Sequence, residues 1–186
     1  MLSFDRPSRL GLATFVLIAT LGVAQGAECS GETASSALTG AQEVVGRLYK
    51  TPRFVNARSG IDAATISELE PYLTDKLVSA LRNFSAALAK ADKSADLLTK
   101  SPYPTGPIFY SNYEGMDRFS VVNASAAVDQ SIHVTVEMNF DSPFGSATWS
   151  DVAVLRCEGH GWKLDDVIFD PNQTAGPSLR SRIAVR

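Results

Sequence analysis

Two adjacent carboxylates near the C-terminus are the residues whose types most directly suggest chemistry. They lie in the segment "EGHGWKLDDVIFD", residues 158–170, with a histidine and a tryptophan. Neighbouring side chains of a strand point to opposite faces, so Asp165 and Asp166 are not expected to act as a close pair. The same alternation places Asp166 among apolar neighbours, which are Trp162, Leu164 and Ile168. A carboxylate there either accepts hydrogen bonds and fixes the strand or has a raised pKa, as a general base requires.

The other titratable side chains of this region suggest surface roles. Asp165, beside Lys163, is expected to be a solvated charge at the rim of the sheet. His160 lies between two glycines in a turn and His133 on the polar face of a strand, so neither is favoured as a catalytic group. The two histidines are far apart and have no carboxylate at ligand spacing, so no metal is expected. No nucleotide or cofactor motif occurs, so no cofactor is expected either.

Aromatic side chains between residues 109 and 119 supply hydrogen-bond donors and candidate lining for a pocket. Tyr110 and Tyr113 are the candidate donors to a substrate oxygen. The run either lines the mouth of a cavity or fills the core, and the sequence leaves both alternatives open. The candidate lining residues on the predicted strands are Trp149, Trp162, Phe140 and Met138.

The N-terminus predicts export. Arg6 and Arg9 precede an apolar run from Leu10 to Ala24, and small residues follow it, which is typical of a secretory signal peptide over residues 1–26. The run is shorter than the roughly 20 residues of a membrane span, which makes an uncleaved anchor the less favoured alternative. The mature chain, residues 27–186, is expected to form one domain in the periplasm or outside the cell.

The two cysteines are predicted to form a disulfide. In an exported chain, an even number of cysteines favours pairing of Cys29 with Cys157. The alternative is two unrelated thiols, with Cys157 buried in the sheet. Because Glu28 replaces the small residue that precedes an acylated cysteine, no stable membrane anchor is expected after cleavage. A net charge of −3 with no basic cluster argues against a nucleic-acid partner.

Hydrophobic periodicity predicts helices first and strands afterwards. Apolar spacing indicates long helices over residues 33–49 and 74–91, with Thr74 as the N-cap of the second and a short helical turn at "DAATISELE" between them. The segment "KSPYPTGPIF" ends the helical part. Four strands follow in "RFSVVNASAAV", "IHVTVEMNF", "WSDVAVLRCE" and "WKLDDVIF". The connections "DQS", "DSPFGSA" and "GHG" are short, which predicts an antiparallel meander.

The predicted fold is therefore α+β, with N-terminal helices packed on one face of a curved, four-stranded antiparallel meander. The helices occupy about residues 33–92 and the sheet about residues 118–170. The C-terminal tail, residues 171–186, is expected to be a frayed surface segment.

This order of elements resembles the nuclear-transport-factor-2-like cone, a cystatin-like architecture. The chain is also similar to a bacterial exported family, the domain of unknown function 3828. The segments that carry the similarity are "ELEPYLTDKLVSAL", "IFYSNYEGMDRFSV" and "GWKLDDVIF". The resemblance implies the fold and an exported location, and no common chemistry. Related cones include isomerases, dehydratases and binding domains, and such cones often form homodimers through the sheet.

The sequence leaves three functions open. The favoured one is an exported, non-enzymatic binding module for a small apolar ligand or a partner protein. The second is a cofactor-free isomerase or hydrolyase that uses Asp166 as the general base and Tyr110 or Tyr113 as the donor. The third is an inhibitor or immunity protein of a periplasmic enzyme.

Overall fold

The computed structural model of the chain describes residues 29, 33–57, 61–94, 106–112, 115–170 and 177–184. The predicted signal peptide and Tyr113 lie outside them. The described helices are α1 (Ala34–Leu48), α2 (Pro52–Val55), α3 (Ala63–Leu69), α4 (Asp75–Ser94) and α5 (Leu179–Arg182). The strands are β1 (Arg118–Ala126), β2 (Ile132–Ser142), β3 (Gly145–Glu158) and β4 (Gly161–Ile168).

The helices begin where their sequences provide a cap. The Thr33 hydroxyl accepts from the Ser36 backbone N–H at the start of α1. The Thr74 hydroxyl accepts from the Leu77 N–H at 3.3 Å, which confirms Thr74 as the N-cap of α4. The one-turn helix α2 begins at Pro52 and is not among the helices that the hydrophobic periodicity predicts. Pro52 stands in the first turn, where a missing N–H removes no helical hydrogen bond.

The four strands form one antiparallel sheet in the order β1-β2-β3-β4, which confirms the predicted meander and α+β class. Helices cover one face of this sheet, and the residues of that face form the core. On β2 the core face carries Ile132, Val134, Val136 and Met138, all of them buried. Residues paired directly across an antiparallel ladder share a face, so Asp151, opposite Val136, and Trp149, opposite Met138, also lie on the core face.

The connection between β2 and β3 is shorter than predicted. The ladder continues to the pair Ser142 and Gly145, so only Pro143 and Phe144 remain as the turn, and "DSPFGSA" is not a loop. The Ser142 hydroxyl donates to the Gly145 carbonyl at 2.9 Å and accepts from the Phe144 N–H, which closes the turn. Gly145 adopts a φ of 144°, which a residue with a Cβ rarely adopts. The side chain of Phe144 at the tip is 99% exposed.

A β-bulge in β4 overturns the predicted facing of the two carboxylates. Val154 pairs with Asp166 and Leu155 pairs with Leu164, so Asp165 is the extra residue of the ladder. Alternation is therefore broken at this point, and the prediction that Asp166 shares an apolar face is wrong. Asp166 is half-buried, whereas Asp165, expected at the solvated rim, is only 9% exposed.

Aromatic rings fill the part of the core near the end of α1. The ring of Phe54 stacks on Phe109 with centroids 4.4 Å apart, and Tyr49 contacts Phe54 and Phe119. Phe109 and Tyr110 are buried. The described residues of the predicted aromatic run thus take the core-filling alternative.

The end of the chain is packed into the fold. Leu179 and Ile183 are buried in the core, and Ser178 forms an isolated bridge with Ile168 at the edge of β4. Ser178 also caps α5 in a reciprocal bond with Ser181. The expectation of a frayed tail is therefore wrong for residues 177–184.

A disulfide joins Cys29 to Cys157, as predicted, with the Cα atoms 6.0 Å apart. It connects the start of the described chain to the penultimate residue of β3. Among the described helices, none is long and apolar enough to span a membrane.

Candidate functional site

An open groove of about 670 Å³ lies where β3 extends beyond the end of β4. The last residue of β4, Ile168, pairs with Val152, so the part of β3 before Val152 continues past its neighbour. A groove of this volume is within the range of small-molecule sites. Its described lining consists of residues 147–150 of β3 with Ser111, Asn112, Phe169, Asp170, Pro177 and Arg182.

Both walls of the groove are attached to one buried carboxylate. Asp151 has no exposed surface, and one of its oxygens accepts from the Ser111 N–H at 2.8 Å. The other oxygen accepts from the Asp170 N–H at 3.1 Å. Asp151 therefore fixes the loop of residues 106–112 and the end of β4 against β3.

Arg182 holds the same loop through its carbonyl groups. Its Nη1 atom donates to the carbonyl oxygens of Pro107 and Tyr110, at 2.9 and 3.1 Å. The guanidinium carbon lies 3.8 Å from the ring centroid of Phe169, a cation–π contact. Arg182 thus supplies a cation to the groove while its position is set by the fold.

Burial dominates the electrostatics of this region. It raises the pKa of Asp151, although the hydrogen bonds from Ser111 and Asp170 and the charge of Arg182 act in the opposite direction. Burial also lowers the pKa of the Arg182 guanidinium, and Asp151 partly offsets that effect. The phenol of Tyr49 has its pKa raised by burial and then by the negative charge of Asp151.

Two buried donors near Asp151 lack hydrogen-bond partners within the described part of the chain. They are the hydroxyl of Tyr49 and the indole Nε1 of Trp149. A buried polar group without a partner is uncommon in a native fold, because it loses its hydrogen bond to water without replacement. Trp149 lines the groove, so one of these two donors belongs to its wall.

A second charged cluster surrounds Asp165 of β4, whose carboxylate is not part of the groove lining. Its carboxylate accepts from the Thr74 hydroxyl at 2.8 Å and from Arg180 Nη2 at 2.5 Å, while Arg156 Nε donates to it at 3.3 Å. Burial raises the pKa of Asp165, and these three donors together outweigh that effect and lower it. Arg156 also pairs with Asp129. The cluster joins α4, β3, β4 and α5, which is a structural arrangement.

The predicted general base is occupied by backbone donors. The Oδ1 atom of Asp166 accepts from the Val167 N–H at 2.8 Å and from the Arg180 N–H at 2.9 Å. Asp166 is not part of the groove lining. The alternative in which this carboxylate accepts hydrogen bonds and fixes the strand agrees with its geometry.

The predicted donors and pocket residues are separated by the fold. Tyr110 is buried and its hydroxyl donates to the Val55 carbonyl at 3.0 Å, away from the groove lining. Of the four pocket candidates, Trp149 lines the groove and Met138 is fully buried in the core. Trp162 packs on α1, so close to Gly40 that a Cβ atom added there would lie 3.4 Å from the indole. Phe140 is half-buried on β2.

The sequence analysis did not identify Asp151 and Arg182, the two residues that organise the groove, although the strand pattern contains a signal for Asp151. Alternation in "WSDVAVLRCE" puts Asp151 on the same face as Trp149, Ala153 and Leu155, which marks a carboxylate on an apolar face. Arg182 carried no such signal, because it lies in a tail that was expected to be frayed. No cluster of three or more potential metal-ligating side chains occurs within the described residues.

Comparison of the chain with protein-family models, with curated proteins and with solved structures finds no match. The resemblance to the exported family of unknown function therefore stays a prediction.

Proposed function

We propose that this protein is an exported binding module that receives a ligand in the groove beside β3. The observation that carries the proposal is the indole of Trp149, which lines the groove and has a buried N–H with no partner among the described residues. The ligand that suits this lining has an apolar body, which contacts the indole of Trp149, and an acidic oxygen, which pairs with the Arg182 cation.

The packing of the described core supports a ligand site at the surface of the domain and not between the helices and the sheet. The side chains between the helices and the sheet are almost without exposure, among them Leu48, Phe84 and Met138. A ligand would have to displace these side chains to enter. The groove is already open and needs no such rearrangement.

Export is supported by the disulfide between Cys29 and Cys157, since such bonds persist in oxidising compartments. The predicted signal peptide and the family resemblance agree with this location. Mass spectrometry of the protein from its host tests it: loss of about the first 26 residues is expected, and an intact N-terminus in the cytoplasm would exclude export.

The isomerase or hydrolyase alternative receives no support from the position of its proposed base. Asp166 already accepts two backbone hydrogen bonds through one oxygen and lies outside the groove lining. The inhibitor alternative is the case in which the ligand of the groove is a protein.

Titration with an apolar fluorescent probe, 8-anilinonaphthalene-1-sulfonate, tests the groove. The probe is expected to bind the folded protein and to quench Trp149. The Trp149→Ala variant should bind at least about tenfold more weakly, since it loses an aromatic contact. The matched control is Trp162→Phe, which changes the other tryptophan and should leave binding unchanged. Equal affinity of Trp149→Ala and the wild type would refute the groove as the binding site.

A further inference from the structure

The backbone of β3 beside the groove carries hydrogen-bonding groups that no other described strand uses. β3 pairs with β2 from Gly145 to Leu155, whereas its pairing with β4 begins at Val152. Residues 147–150 line the groove, and within the described part of the chain no strand lies on that side of them. This stretch of β3, residues 145–150, is called the free edge below, and it is open to a further strand.

The register with β2 shows which backbone groups point to the free edge. Asn139, the partner of Thr148, turns its carbonyl away from β3, where it accepts from the Asp117 N–H at 2.8 Å. In an antiparallel ladder, hydrogen-bonded pairs alternate with pairs whose backbone groups point outward. The pair of Asn139 and Thr148 is of the second kind, so Thr148 points its N–H and C=O to the free edge. Ser146 and Ser150, two positions away on either side, do the same.

The side chains of the free edge suit an apolar residue of an added strand. Proteins protect free edges with charged side chains or proline, and the sequence from Gly145 to Ser150, "GSATWS", contains neither. Residues that lie side by side in neighbouring strands have their side chains on the same face of the sheet. A residue placed beside Trp149 would therefore share its face, and an apolar side chain there would pack on the indole.

The end of β4 closes one end of the free edge. Ile168, the last residue of β4, lies beside Val152, and the Asp170 N–H donates to the Asp151 carboxylate. The position beyond Ser150 is therefore occupied, and an added strand has to end there or turn away. A chain terminus meets this condition without a turn.

A cation with unused donors lies at the same end. The guanidinium of Arg182 covers the ring of Phe169, the residue that follows β4, and both residues line the groove. The described hydrogen bonds of Arg182, to the carbonyls of Pro107 and Tyr110, use Nη1. Its Nη2 and Nε atoms have no hydrogen-bond partner among the described residues. A guanidinium binds a carboxylate through two such N–H groups.

We propose that the groove binds the C-terminal end of an extended peptide, which adds to the free edge parallel to β3 and places its terminal carboxylate on Arg182. The direction follows from the position of Arg182, because a chain that runs from Gly145 towards Ser150 brings its C-terminus to that end. The last residue of the peptide then lies beside Ser150 and the penultimate residue beside Trp149, where an apolar side chain is preferred. This inference rests on the proposed function, because it names the ligand of the same groove.

A synthetic pentapeptide tests the proposal on the wild-type protein. Its residues are threonine, valine, threonine, phenylalanine and serine, with an acetylated N-terminus and a free C-terminal carboxylate. Isothermal titration calorimetry is expected to give a Kd below about 1 mM. The same peptide with a C-terminal amide should bind at least about tenfold more weakly, since it loses the charge-assisted hydrogen bonds to Arg182. Equal affinity of the acid and the amide would overturn the proposal.

Exchange of the last two residues of the peptide tests the register. It keeps the composition and moves the phenylalanine ring to the face of the sheet away from Trp149. Binding should weaken at least about tenfold, because the contact with the indole is lost. Unchanged affinity of the exchanged peptide would overturn the placement of the penultimate residue beside Trp149.

Methylation of the peptide backbone tests the added strand. In a parallel pair, an outward-pointing residue bonds to both neighbours of the residue beside it, so the Thr148 carbonyl accepts from the N–H of the penultimate residue. N-methylation of the phenylalanine should therefore weaken binding at least about tenfold. N-methylation of the preceding threonine, whose N–H points away from β3, is the matched control and should not. The reverse pattern would indicate an antiparallel peptide and overturn the proposal, as would N-acetylphenylalanine that binds as tightly as the pentapeptide.

The Arg182→Gln variant tests the assignment of the cation. It should bind the acid and the amide equally weakly, whereas Arg118→Gln, which removes an exposed arginine outside the groove lining, should keep the preference for the acid. A folded Arg182→Gln protein with an undiminished preference would overturn the assignment. Because Arg182 also holds the loop at Pro107, the variant is first checked by circular dichroism; if it does not fold, the comparison of acid and amide on the wild type decides.

The two proposals fail in different ways. A wild-type protein that binds the fluorescent probe through Trp149 but does not bind the pentapeptide would refute the peptide and leave the groove as a ligand site. Pentapeptide binding that requires the carboxylate and the phenylalanine N–H, together with probe binding that ignores Trp149→Ala, would support the peptide and refute the site of the apolar probe.

Discussion

Substitution of Asp151 by alanine should destabilise the whole fold, because this side chain connects three segments that are distant in sequence. The variant loses the acceptors of the Ser111 and Asp170 N–H groups. A hydrogen bond to a charged acceptor contributes about 1.5–3 kcal/mol. Part of the sum is recovered, because burial of the charged carboxylate, which raises its pKa, is itself unfavourable. We expect a net loss of about 2–4 kcal/mol in the free energy of unfolding.

Urea denaturation followed by circular dichroism measures this loss, and the melting temperature should fall by roughly 5–15 °C. The matched control is Asp141→Ala, which breaks an exposed ion pair with Arg118 and should cost less than about 1 kcal/mol. If Asp151→Ala were no more destabilising than Asp141→Ala, the assignment of Asp151 as the support of both groove walls would be wrong.

The pH dependence of the same site separates the charge from the hydrogen bonds. Because the pKa of Asp151 is raised in the folded state, the native protein binds a proton more tightly than the unfolded chain does. The wild type should therefore gain stability relative to Asp151→Asn as the pH falls from neutrality towards about 4. Urea denaturation of both proteins across this range tests the sign, and a relative loss on acidification would contradict it.

Four further changes test other parts of the fold. The pKa of Asp165 is lowered in the folded state, so the wild type should lose stability relative to Asp165→Asn as the pH falls below about 4; parallel pH curves of unfolding free energy would contradict this. Reduction of the Cys29–Cys157 disulfide, which closes a loop of 128 residues, should cost about 5 kcal/mol in chemical denaturation, and a loss below about 1 kcal/mol would contradict the chain-entropy argument. Gly46→Ala has free space in α1 and should stabilise the folded protein by about 0.5–1 kcal/mol. Gly159→Ala, at a φ of 66°, should destabilise it by about 1 kcal/mol. Melting curves in which both variants shift the melting temperature in the same direction would contradict the argument.

The periodic parts of the fold could be predicted from the sequence because each residue there follows its local pattern. Ile132, Val134 and Val136 alternate with polar residues and form the buried face of β2. The hydroxyl of Thr74 starts α4, as the capping pattern indicates. The pairing of Cys29 with Cys157 followed from their number and from the predicted export.

The candidate site could not be predicted, because it depends on a bulge, a turn and tertiary contacts that the alternation of apolar and polar residues does not indicate. One bulge at Asp165 reversed the facing of both carboxylates of β4. The Ser142 side chain closes the two-residue turn between β2 and β3, so β3 begins at Gly145 and extends beyond the end of β4. The tertiary contacts of Arg182 ordered a segment whose composition suggested a loose tail.

The disulfide also determines how the molecule is oriented when it is held by its N-terminal side. Cys29 is fixed at Cys157, near the turn between β3 and β4, whereas the groove and the hairpin tip at Phe144 lie towards the opposite end of the same strand. The twelve residue steps from Cys157 to Gly145 span about 40 Å of extended chain. Anything joined to the chain just before Cys29, whether a support or a fused domain, is therefore anchored far from the groove and the hairpin tip and leaves both facing outward.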